Sequence, residues 1–70
     1  MLSFEKFVEV ANHMASYLHT KVSRVFNDEG NYKAVFKECD AFDRLSMTGR
    51  ASSKTVAVNR PGRTWIFEVR

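Results

Sequence analysis

Apolar residues recur at helical spacing over the first third of the chain. Stepping about 100° per residue from Phe4 gathers Phe4, Phe7, Val8, Val10, Ala11, Met14, Ala15, Tyr17, Leu18, Val22, Val25 and Phe26 in one half of the wheel. Glu5, Glu9, Asn12, His13, Ser16, His19, Thr20 and Ser23 fill the other half. The spacing predicts one amphipathic helix over residues 3–27. Ser3 is placed to cap its first turn, with Glu5 near the positive end of the dipole and Lys21 and Arg24 near the negative end. Asp28, Glu29 and Gly30 close it, Gly30 being suited to a left-handed C-terminal position.

Beyond Gly30 the period falls to two. Tyr32, Ala34 and Phe36 alternate with Lys33, Val35 and Lys37, as in a half-buried strand. Lys54, Thr55, Val56, Ala57 and Val58 form a second β-prone run. A third alternates Trp65, Phe67 and Val69 with Thr64, Ile66 and Glu68. Between the last two, Pro61 and Gly62 match positions i+1 and i+2 of a type II turn, predicting a hairpin. Cys39 to Ser53 reads two ways. Leu45 and Met47 alternate with Ser46 and Thr48 as in a strand, while Asp40 could cap a short helix carrying Phe42 and Leu45 and ended by Gly49. The strand completes a meander with short connections and is preferred. The expected fold is α+β: one long N-terminal helix over 3–27, packed on a small antiparallel sheet of three to four strands within 31–70, in a single domain spanning 1–70.

A helix of ~23 residues is about 34 Å long, whereas a strand of ~7 residues spans about 23 Å. The helix should therefore overhang its sheet, and its apolar arc is wider than one sheet needs. Val10, Met14 and Tyr17 form a second stripe, which predicts a two-fold homodimer through those three residues. The alternative is a curled sheet that covers both stripes.

Composition narrows the class. Seventy residues with one cysteine leave no room for a second domain or an internal disulfide. Chains this short usually lean on a metal, a disulfide or a partner subunit. Hydrophobic residues at 44% are too frequent for a disordered chain. No basic start with an apolar run marks a secretory signal, and no stretch approaches the ~20 apolar residues of a membrane span. A reducing, cytoplasmic setting without membrane contact is expected.

The net charge is +3, unevenly spread: residues 1–29 hold three bases and four acids, and residues 30–70 hold eight bases and four acids. Between Arg44 and Phe67 there are five bases, Arg44, Arg50, Lys54, Arg60 and Arg63, and no acid. Ser46, Thr48, Ser52, Ser53, Thr55, Asn59 and Thr64 add small donors. Arginine forks, lysines and hydroxyls suit phosphate oxygens, and a sheet covered on one face leaves the other open. These five basic residues are the predicted site for RNA or another polyanion. RNA is favoured over duplex DNA because no basic helix is available for a major groove. Tyr32, Phe36, Trp65 and Phe67 are candidates for base stacking, though residues of this kind more often fill a core. Basic residues on a sheet also serve solubility and edge protection.

Little points to catalysis, metal or cofactor. His13 and His19 are about 240° apart round a helix and cannot share a metal. Cys39 has no CxxC partner or local base, and Asp40 and Asp43 could be paired carboxylates, though a cap or turn role explains them as well. Gly30, Gly49 and Gly62 are isolated, so no phosphate-cradling glycine loop is present. In its opening Met1-Leu2-Ser3-Phe4-Glu5-Lys6-Phe7 and its basic tail up to Arg70, the chain resembles in type the small early proteins of T-even bacteriophages. Those include an RNA-binding inhibitor of the host toxin ToxN. The resemblance implies an inhibitor of a host nucleic-acid enzyme or defence system and carries no site residue. The alternative is a protein–protein inhibitor or adaptor that uses the apolar helix stripe or a strand edge.

Overall fold

Ser3 starts the helix: its side chain accepts a hydrogen bond from the Lys6 backbone N–H at 3.1 Å. The helix, α1, spans Phe4–Tyr17. The structure, a computed structural model, describes residues 1–37 and 45–69. The helix ends ten residues earlier than the periodicity predicts, and its C-terminus shows why. His19 adopts φ 58°, in the left-handed region. Its N–H donates to Ser16 O at 3.2 Å, and the Thr20 N–H reaches back to Ala15 O at 2.8 Å. These two bonds form the Schellman arrangement that satisfies the last helical carbonyls. Histidine enters the left-handed region more readily than most side chains, so no glycine marks the stop.

Beyond it, the valines of β1, Val22–Asp28, sit in extended backbone, which β-branched side chains favour. Residues 22–27 are thus strand rather than the last part of a helix. Gly30 is left-handed as expected (φ 88°), but it shares a two-residue turn with Glu29 (φ 49°). Two successive positive φ values fit the tight hairpin turn whose twist matches the flanking strands. That turn leads into β2, Asn31–Phe36. Then follow β3, Ser46–Arg50, β4, Thr55–Arg60, and β5, Arg63–Glu68. Pro61 and Gly62 make the β4–β5 turn, Gly62 at φ 80° as a type II turn requires. The strands form one antiparallel meander in the order β1-β2-β3-β4-β5, five strands where three to four were expected. The strand reading holds for residues 46–50, so Gly49 does not end a short helix; the positions of Cys39, Asp40, Phe42, Asp43 and Arg44 fall in 38–44, outside the described residues.

One sheet face carries the core. Tyr32, Ala34, Phe36, Met47, Val56 and Val58 point to the helix side and meet Leu2, Phe7, Ala11 and Ala15. The Tyr32 hydroxyl donates to Leu2 O at 3.0 Å, tying the N-terminus to β2. The tightest approach is at Gly49, where an added Cβ would lie 3.1 Å from atoms of both Leu2 and Phe7. Fourteen residues make α1 about 21 Å long, so it does not overhang the sheet, and the overhang expected to seat a second copy on Val10, Met14 and Tyr17 is absent. Val10 and Met14 pack against the chain's own core, while Tyr17 is exposed.

Gly49→Ala pushes a methyl into the Phe7 ring and should destabilise the fold by about 1–3 kcal/mol, the usual cost of overpacking. Urea unfolding should show a lower midpoint, partly restored by adding Phe7→Leu. An unchanged midpoint for Gly49→Ala would contradict this packing.

Candidate nucleic-acid interface

The strand registers sort every sheet residue to a face. Phe26 pairs with Lys33, Lys33 with Thr48, Thr48 with Ala57, and Ala57 with Ile66, a single row across all five strands. This row lies on the face opposite α1, since its neighbours Tyr32, Ala34, Met47, Val56 and Val58 are in the core. On one side of it runs a second row: Arg24, Val35, Ser46, Asn59 and Thr64. On the other lie Asp28, Asn31 and Arg50, with Thr55 and Glu68 paired further across.

Arg24, Lys33 and Arg50 therefore step diagonally over three adjacent strands, one in each row. Among the described residues, the single ion pair is Lys6–Glu9 on the helix, at 3.4 Å, so none of the three forms a salt bridge with a described carboxylate. Asp28 and Glu68 share this face near its edge strands. The row is the floor of a trough of about 690 Å³, with Phe26 and Ile66 at opposite rims and Lys33, Thr48 and Arg50 between them; Asp28 also lines it, and Arg24 stands beyond it on the same face. A polar relay orients the floor: Thr64 Oγ1 lies 3.2 Å from Asn59 Oδ1, and Asn59 Nδ2 donates to Thr48 Oγ1 at 3.4 Å. Thr48 accepts in that relay and keeps its own hydroxyl hydrogen as a donor.

The five basic residues singled out from sequence do not form one cluster. Arg50 and Lys54 lie at the β3–β4 loop end of the sheet, Arg50 on the open face. Arg60 and Arg63 face each other across the Pro61-Gly62 turn at the other end, roughly 20 Å away along β4. They share the parity of Val58 and Trp65 and so belong to the helix side; the Arg63 guanidinium lies 6.0 Å from the Trp65 ring centre. Arg44 is outside the described residues. Of the four candidate stacking aromatics, Tyr32 and Phe36 are buried, while Trp65 and Phe67 are partly exposed on the helix side.

Sequence reasoning missed Arg24, Lys33 and Phe26 as members of the open face. Lys33 was legible from its place opposite the inward Tyr32 and Ala34. Arg24 and Phe26 were hidden by their assignment to the helix. Among the described residues, no three of His, Cys, Asp or Glu come together as a metal would need. No helix among them is long and apolar enough to cross a membrane.

Trp65 is the sole tryptophan and sits on the face away from the trough. A single-stranded oligonucleotide bound in the trough should raise its own anisotropy and leave Trp65 emission unchanged. Strong Trp65 quenching on binding would instead place the ligand at Arg60 and Arg63.

Comparison with known protein families, curated proteins and solved structures finds no match.

Proposed function

We propose that this protein binds single-stranded RNA, or a polyanion of similar chemistry, on the open face of its sheet, and acts by occupying that ligand rather than by transforming it. The observation that supports this most directly is the diagonal of Arg24, Lys33 and Arg50 over the open face, the last two lining a trough whose floor also offers Thr48 and whose rim exposes Phe26. Phosphates would lie along the cations, with Arg50 offering a planar two-pronged donor. An unpaired base can stack on the exposed Phe26 ring, which a base stacked inside a duplex cannot do, so the reading favours single strands. An inhibitor built this way would withhold RNA from a larger nucleic-acid enzyme in the cytoplasm.

A second reading has its own observation. On the helix side, Met14, Tyr17 and Leu18 face Trp65 and Phe67 across an apolar groove of about 280 Å³. A protein partner docked there would make a protein–protein inhibitor or adaptor with no nucleic acid involved.

Salt separates the two. Three phosphate contacts at a slope of roughly 0.7 each give log affinity falling with log salt at about −2 for a single strand. The double variant Lys33→Ala, Arg50→Ala should lose most of that slope and bind at least about tenfold more weakly at low salt. Fluorescence anisotropy with a labelled single-stranded RNA measures both. Wild-type protein that does not bind, or a double variant with unchanged affinity and slope, would overturn the proposal.

A further inference from the structure

The sheet has two edges, and they differ. The β1 edge is broken by a bulge, the register shifting between Val22 and Arg24. It also carries Arg24, Asn27 and Asp28. Bulges and charged side chains are how sheets block pairing with another chain. β5 has no bulge, and its charged residues, Arg63 and Glu68, stand only at its two ends. Its six residues, RTWIFE, pair in unbroken register with β4 and are all exposed. Threonine, tryptophan, isoleucine and phenylalanine are strong strand formers.

The hydrogen-bond parity of β5 is fixed. Val69 N–H donates to Lys54 O at 2.7 Å. Alternation along the antiparallel ladder then turns the backbone groups of Arg63, Trp65 and Phe67 toward β4. Those of Thr64, Ile66 and Glu68 point to the open edge. Ile66 also stands out by its side chain. It is 71% exposed, the most exposed large apolar side chain among the described strand residues.

We propose that two copies of the chain pair antiparallel along β5, with the two-fold axis at Ile66. This register sets Ile66 against the second copy's Ile66 and Thr64 against its Glu68. The outward N–H and C=O groups of all three residues on each strand then find partners. A two-fold axis normal to the sheet keeps each face with itself, so Trp65 meets the second copy's Phe67 on the helix side, twice. Such cross-strand aromatic pairs favour the ladder. On the open face, the Thr64 hydroxyl of each strand lies opposite Glu68 of the other, and Glu68 has no ion-pair partner among the described residues. The assembly closes at two copies, because the edges left over are both the blocked β1. The two open faces become continuous across the axis. The inference stands whether or not RNA is the ligand.

An interface of one strand per copy is small, so association should be weak and depend on concentration. Sedimentation of the full chain from about 10 µM to about 1 mM should show the mass rising from 8.1 kDa toward twice that value. Ile66→Lys puts two like charges on the axis and should stay at the monomer mass, while Ile66→Val should still dimerise. In a Cys39→Ser background, Ile66→Cys should crosslink to itself under mild oxidation and Phe26→Cys should not. That pair decides the matter should Ile66→Lys fail to fold. A monomer at every concentration would overturn the proposal. So would a dimer that survives Ile66→Lys but is lost with Met14→Lys, which would return the interface to the helix stripe.

Discussion

A single helix of 14 residues shields a strip roughly 10 Å wide. Five strands at about 4.8 Å spacing spread their inner face over roughly twice that width. The helix sits where contact is closest, with Phe7 and Leu2 pressed on Gly49 and Tyr32 bonded back to Leu2. The core therefore gathers over β2, β3 and β4. β5 is left with Trp65 and Phe67 partly uncovered on one side and Ile66 uncovered on the other. Among the described residues nothing covers the opposite face.

Much of this was legible in the sequence, for reasons that can be stated residue by residue. The alternation of Tyr32, Ala34 and Phe36 marked a strand because every second residue is in the core. Pro61 and Gly62 marked their turn because proline fixes one φ and glycine permits the other. The helix start was legible from Ser3. Its end was not, because Val22, Val25 and Phe26 continue the helical spacing by coincidence, and the stop depends on His19 taking a conformation more typical of glycine. That one misplacement hid β1 and with it Arg24 and Phe26. It also made the helix long enough to suggest an overhang that does not exist.

The candidate site shows a second limit of linear reading. A run without acids looks like a patch, yet a meander sends alternate residues to opposite faces and successive turns to opposite ends. Arg50 and Arg63 are near in sequence but lie on different faces. Arg24, Lys33 and Arg50 are spread over 27 positions of chain and fall on one diagonal, because the registers of β1, β2 and β3 align them. The polar relay from Thr64 through Asn59 to Thr48 likewise exists only once β3, β4 and β5 are side by side. Binding on this face needs no movement of the core, since α1 packs on the other side.

Backbone amide chemical shifts, recorded while a short single-stranded RNA is titrated into the protein, test the account most directly. Changes should concentrate at Phe26, Lys33, Thr48 and Arg50, leaving Phe7, Ala11 and Ala15 of α1 unmoved. No change at saturating RNA, or changes centred on Arg60, Arg63 and Trp65, would contradict the assignment of the open sheet face as the binding surface.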